Sequence, residues 1–481
     1  MEELVEEKVS AEAPAERTAS GQGAGDTGPP TLREVSGVWW PLAASWLLMG
    51  FEGPALAAIV ARLADPEIHL AAFGGIVFPL ALMVEAPIIM LLAASTALTR
   101  DRESYRRLYR FTTVAGALLT LVHVAIAVTP LFDLVVGRLM SPPEEVLAPA
   151  RLGLIVMIPW TWAIADRRFH QGVLIRFGRS RAVGAGSAVR LLADGTVLAA
   201  GYLIGSLPGI LVASSAVIAG VLIEAAYVRM RVAPVLREEL PVQEHLGTAG
   251  AGAGPPGLRS FLAFYVPLSL TSVLSLLVQP VGAAALSRMP LALESLAVWP
   301  VVIGLVFVFR SFGFAYNEVV VALVDRPGAE PVLRRFTRIL AFATLAAFAL
   351  FLVPVVAELW FVRVTGLGDS LAGLAALGLW LALPMPALSV FMSWYQGLIL
   401  FSRRTRAVSE AVAISLLTTS LVLLAGVVWG RFTGLYAGVA AITLGEILRI
   451  GWLWFRSAPV RRYFREAEGL RRSEGLREPA G

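Results

Sequence analysis

Four stretches of this chain, 38–60, 70–97, 111–131 and 336–356, each run for about twenty residues or more with at most one Asp, Glu, Lys or Arg. An α-helix of about 20 apolar residues spans the ~30 Å of hydrocarbon in a bilayer. Alternation of the strand type is absent. Helices that satisfy their own backbone, and no barrel, are therefore expected in lipid. Charged residues make up only 16% of the chain and the mean hydropathy is +0.73, whereas soluble domains carry about 25% charged residues. The fold class read from these facts is all-α, polytopic and membrane-spanning.

Twelve spans are predicted, at roughly 38–60, 70–97, 111–132, 149–175, 182–205, 209–228, 261–287, 295–324, 336–360, 372–401, 407–429 and 434–456. Arginine orients them. The connections after spans 2, 6, 8 and 10 hold three to five arginines each, among them Arg106, Arg229, Arg334 and Arg404. The intervening ones hold one or two or none, such as Arg62, Arg138, Arg288 and Arg363. By the positive-inside rule both termini are cytoplasmic, in the cytoplasmic (inner) membrane. Residues 1–36 read as a disordered cytoplasmic tail without the apolar core of a cleavable signal. Residues 231–260 read as a flexible linker, Gly/Ala/Pro-rich in its second part, and 457–481 as a basic tail. The +5 net charge is thereby explained by cytoplasmic connections, without nucleic acid as a partner. With no cysteine, disulfides, thiolate metal sites and cysteine nucleophiles are excluded.

The linker separates six spans (37–230) from six (261–456), and the halves repeat. HQGVLIRFGRSRAV (170–183) answers YQGLILFSRRTRAV (395–408), 225 residues later. Pro41-Leu42 matches Pro267-Leu268 and Arg62 matches Arg288 at an offset of 226; Arg110-Phe111-Thr112 matches Arg335-Phe336-Thr337 at 225. A fixed offset over so long a stretch marks internal duplication. Six is even, so the halves enter the membrane alike, as parallel repeats about an axis along the membrane normal. The doubled basic cluster is then a topology anchor, and its Gln-Gly pair fits close helix packing.

Ionisable groups at bilayer depth are the functional candidates. Glu52, beside Gly53-Pro54, is either a carboxylate coupling transport to H⁺ or Na⁺, or one hydrogen-bonded at a proline kink. Glu85 in span 2 and Arg310 in span 8 stand at adjacent positions of the repeat; an ion pair between them could gate the cavity or simply be static. Span 4 carries ADRRFHQG where its mate reads VFMSWYQG. Arg167, Arg168, His170 and Gln171 could hold a carboxylate or phosphate, with Gln396 as the polar counterpart in the other half. Asp166 pairs with His170 at i,i+4 and joins Glu52 and Glu85 as a coupling or gating candidate. The alternative is a shorter span 4 whose arginines snorkel to the headgroups. Arg190 with Asp194 reads as a structural pair, Glu224, Glu318 and Glu446 as interfacial, and His123 as a hydrogen-bonded core histidine.

HQGVLIRFGRSRAVG, with Pro41-Leu42, Pro87 and the run PLSLTSVLSLLVQP, resembles the progressive ankylosis branch of the multidrug/oligosaccharidyl-lipid/polysaccharide (MOP) exporters, close to the MATE exporters. That resemblance implies two pseudo-symmetric six-helix bundles that alternate access. It also implies export of a small solute, and for that branch an anion such as citrate, ATP or pyrophosphate. The acidic site of MATE proteins in span 1 has a loose counterpart in Glu52. No P-loop is present, so a secondary active exporter, working as a monomer without cofactor beyond a coupling ion, is the expectation. A flippase for lipid-linked saccharides and a cation- or proton-coupled multidrug exporter are the alternatives. An enzyme is not expected, because the external loops hold too few His, Asp or Glu for a catalytic constellation.

Overall fold

The computed structural model describes residues 28–240, 258–402 and 406–475. These residues form helices and no strand. The span helices are α1 (Leu32–Val60), α2 (Pro66–Leu98), α3 (Arg102–Val128), α4 (Glu144–Val156 and Pro159–Arg176), α5 (Ser180–Ile204) and α6 (Gly209–Glu239). The second half repeats them as α7 (Phe261–Leu286), α8 (Ala292–Leu323), α9 (Ala329–Leu352), α10 (Asp369–Phe401), α11 (Arg406–Trp429) and α12 (Gly434–Arg456). A further helix, α13 (Ala458–Gly475), follows. Among the described residues eleven helices are long and apolar enough to cross a membrane, and twelve if the bent pair in α4 is one span.

Three expectations need adjustment. Helix α1 starts at Leu32, inside the supposed tail 1–36; residues 1–27 lie outside the described residues, as do 241–257 of the linker and Arg403–Thr405 of the second basic cluster. Residues 458–475, read as a tail, are helical. Span 4, read as one rod, is two segments bent by 44°. The cause is Pro159, which lacks the N–H that would continue the ladder and disfavours helix in the residue before it. Its repeat mate Pro384 likewise divides α10 into Asp369–Ala382 and Met385–Phe401.

The duplication is visible in side-chain geometry as well. Arg62, near the end of α1, donates to Ala58 O (2.6 Å) and reaches into the other half to Arg363 O (2.7 Å) and Val364 O (3.0 Å). Arg288, after α7, donates to Ala284 O (2.6 Å) and to Arg138 O (2.9 Å), Leu139 O (2.9 Å) and Met140 O (3.1 Å) of the first half. Each guanidinium satisfies carbonyls at the end of a short π-helical segment, Leu359–Val364 or Asp133–Met140, which have no helical partner. Two equivalent arginines thus tie the halves together at one face of the molecule.

At the opposite end the Gln-Gly pairs close helix contacts in both halves. A Cβ on Gly172 would overlap Ser95 Oγ and come against Leu92 O of α2. One on Gly397 would stand 2.5 Å from Val320 of α8. Only glycine allows backbones to approach so closely.

Candidate functional site

The second segment of α4 is almost wholly buried, with Ala163 to Arg167 and Phe169 to Leu174 all inside the structure. Arg167 begins about nine residues before the helix end at Arg176, roughly 13 Å at 1.5 Å per residue. The helix therefore does not end early. Its two faces carry different chemistry.

One face holds Arg167, Arg168 and Gln171 and lines a cavity of about 130 Å³, together with Glu52 of α1, Arg190 of α5 and Glu224 of α6. Arg167 is ion-paired to Glu224, whose side chain is fully buried. Gln171 Nε2 donates to the same carboxylate at 3.0 Å. Across the cavity Arg190 is ion-paired to Glu52 and lies 3.6 Å from Asp194, i,i+4 on its own helix. Asp194 packs so tightly on α6 that a Cβ on Gly220 would overlap its carboxylate. The wall thus presents three guanidiniums and two carboxylates, with Asp194 behind Arg190 and outside the lining.

Arg168 stands apart. Among the described residues no carboxylate lies within ion-pair distance of it, although Glu85 and Glu224 act on it through space. Its Nε and Glu85 Oε2 are both buried without a hydrogen-bond partner. Arg167 and Arg190 share that feature at Nε, so the wall as a whole carries buried donors without a hydrogen-bond partner.

The other face of α4 turns to α3. His170 Nδ1 lies 2.9 Å from Asp166 O and 3.3 Å from its carboxylate, and His170 Nε2 lies 3.2 Å from Tyr105 OH. Tyr109 OH donates to Asp166 Oδ1 (3.3 Å) and accepts from Arg229 (3.0 Å). Asp166 and His170 are therefore a packed pair that does not line the cavity of Arg167 and Arg168. Their i,i+4 spacing was legible, but a period of 3.6 residues turns them away from Arg168 and Gln171.

Glu85 and Arg310 do not meet. Arg310 pairs with Glu446 of α12 at 3.4 Å, with Arg449 on the same carboxylate at 3.5 Å, inside the second half. Glu85 instead faces Arg168 and Arg167 within its own half. Gln396 is half-buried, and its side chain makes no hydrogen bond among the described residues. His123 is a satisfied core histidine, with Nε2 3.0 Å from Leu154 O.

Reading the sequence as interfacial at Glu224 and merely structural at Arg190–Asp194 left two charged members of the cavity wall, Glu224 and Arg190, out of the candidate site. A signal existed. Glu224 and Arg449 lie 225 residues apart, so both halves carry a charge at that depth of the sixth helix, which an interfacial residue does not require.

No family model matches the chain, and no curated protein does. Solved structures do. An inward-facing multidrug resistance MATE family transporter of the MOP superfamily aligns over 90% of this chain and 99% of its own, with a TM-score of 0.67 and 14% identity. The lipid II flippase MurJ, in an inward closed conformation, aligns over 86% and 87% with a TM-score of 0.60 and 13% identity. A MOP superfamily transporter from Pyrococcus furiosus aligns over 89% and 97% with a TM-score of 0.56 and 15% identity. The chain has the all-helical fold of the MATE transporters and MurJ.

Proposed function

We propose that this protein is a secondary active transporter that exports a small organic or phosphate-containing anion by alternating access between its two halves. The observation that carries the reading is the cavity wall: three guanidiniums against two carboxylates, with no carboxylate among the described residues within ion-pair distance of Arg168. A planar guanidinium that is half-buried and without an ion partner suits bidentate contact with carboxylate or phosphate. Arg167 and Arg190 hold the flanks while engaged with Glu224 and Glu52.

Coupling would run through Glu52. Its charge holds Arg190, so binding of H⁺ or Na⁺ there alters the charge balance of the wall and with it the affinity for an anion. A transporter also needs closure on one side while the other is open. The matched contacts of Arg62 and Arg288 across the halves supply such a closure, on the side that the arginine distribution assigns to the exterior.

A lipid-linked saccharide is the second reading, favoured by the likeness to a lipid II flippase and by the same cationic wall, which would suit a pyrophosphate. The P. furiosus neighbour is described as having a binding pocket of reverse polarity, so pocket charge is a variable within this fold. Comparing the metabolites in the medium of cells with and without the protein separates the readings. Accumulation of small anions, lost in Arg168→Gln, supports export of a soluble anion. Efflux of cationic dyes that survives Arg168→Gln would defeat it.

A further inference from the structure

A second charged cavity lies outside the site above. About 290 Å³ of space opens between α9, α10 and α13, walled by Arg334, Arg338, Arg461 and Arg465, with Thr337 and Tyr395 among the lining side chains. One carboxylate, Glu330, shares the wall and sits 3.6 Å from Arg334. Arg338 and Arg465 have no carboxylate within ion-pair distance among the described residues.

Duplication makes this cavity informative, because the first half contains the same place. At an offset of 225, Glu330, Arg334, Trp394 and Tyr395 correspond to Tyr105, Tyr109, Phe169 and His170. There the space is filled: Tyr105 and Tyr109 stack at 5.8 Å between ring centroids, and both pack on Phe169 and His170. The fold alone therefore does not leave a hole here. The second half has Glu330 and Arg334 where the first has the stacked rings of Tyr105 and Tyr109, and α13 roofs the gap.

That roof is fixed in place. Val460 of α13 is buried in the cluster around Tyr316, and Phe464 packs on Phe401 at 5.5 Å. Arg461 donates to Trp454 O at 2.7 Å and lies over the Tyr395 ring at 5.7 Å. Helix α13 is amphipathic and basic over its described side chains, with Tyr463 exposed. Such helices lie in the membrane interface, beside headgroups.

We propose that this cavity is a second anion site, separate from the transport cavity, that takes a phosphate group through Arg334, Arg338 and Arg465. The phosphate could belong to an anionic phospholipid of the facing leaflet or to a soluble phosphoester; the chemistry is shared.

The test uses the full chain in a neutral detergent and follows its thermal unfolding during titration with phosphatidylglycerol, phosphatidylcholine or soluble glycerol phosphate. Stabilisation by phosphatidylglycerol over phosphatidylcholine identifies a lipid, and stabilisation by glycerol phosphate alone identifies a soluble ligand. Either must weaken about fivefold for each arginine removed, hence roughly 25-fold in R334Q/R338Q. R334K/R338K should retain most of the affinity. R335Q, an exposed arginine on the same helix but outside the cavity wall, should retain all of it. The proposal fails if neither phosphate compound outperforms phosphatidylcholine, or if R334Q/R338Q binds as the parent does.

Discussion

The second segments of α4 and α10 are the same helix written twice with different content. Both begin beside a proline, both are largely buried, and both carry, about one turn before their end, a Gln-Gly pair whose glycine admits a neighbouring helix. Where α4 has Asp166, Arg167, Arg168 and His170, α10 has Phe391, Met392, Ser393 and Tyr395. The contrast continues on the fifth helix. Asp194 packs on Gly220 in one half, and its mate Thr419 packs on Gly445 in the other. Thr419 is neutral and bonds to Ala441 O at 3.3 Å. Features shared by the halves, including the Arg62 and Arg288 contacts, are scaffold. Features confined to one half are free of that duty, and the transport chemistry is sought there.

The largest effect expected from erasing this difference comes from Arg167→Met, which copies Met392. It leaves Glu224 charged and buried without its partner, at a cost of about 3–5 kcal/mol. The folded yield and unfolding temperature in detergent should fall sharply, and adding Glu224→Gln should restore most of the loss. If Arg167→Met alone is as stable as the parent, the pair is no part of the fold's energetics.

Glu52→Gln comes next. The amide can still accept from Arg190 but cannot change charge, so the variant should bind solute while accumulation driven by a pH or Na⁺ gradient falls about tenfold or more. Unchanged gradient dependence removes Glu52 from coupling.

The two scaffold arginines should behave alike. Arg62→Ala and Arg288→Ala each strip hydrogen bonds from carbonyls of the opposite half, and each should favour opening of that face by about 1–3 kcal/mol. Spin-label distances between the loops after α3 and α9 would report it. A large effect from one arginine and none from the other would break the symmetry on which the comparison stands.

Smallest is the glutamine pair. Gln171→Ala removes a donor from the buried Glu224 and should cost about 1–2 kcal/mol, whereas Gln396→Ala, with no such partner, should stay within about 0.5 kcal/mol. Equal losses in thermal stability would contradict the asymmetry.

Much of the scaffold was legible in the sequence because lipid imposes it locally. A run of twenty apolar residues, a proline or an arginine-rich connection has the same meaning whatever surrounds it. The repeat was legible because it is a property of the string. Partner choice was not. Arg310 finds Glu446 and Arg167 finds Glu224, residues 136 and 57 positions away, through packing that no periodicity specifies. Arg168 was read in the company of its sequence neighbour His170, yet the turn of the helix sends them to different faces. The amphipathic α13 read as a tail because its charges obscured the few apolar residues that seat it.

The central claim is that solute binds in the first half, on Arg168. The most direct measurement is the binding of a labelled small dicarboxylate or phosphate ester to the purified protein, selected from the metabolite comparison, with Arg168→Gln and Ser393→Gln side by side. Loss of one charge-assisted bidentate contact should weaken binding by about tenfold or more in Arg168→Gln and leave Ser393→Gln near the parent. Equal affinity in Arg168→Gln and the parent, or a loss confined to Ser393→Gln, would contradict the account.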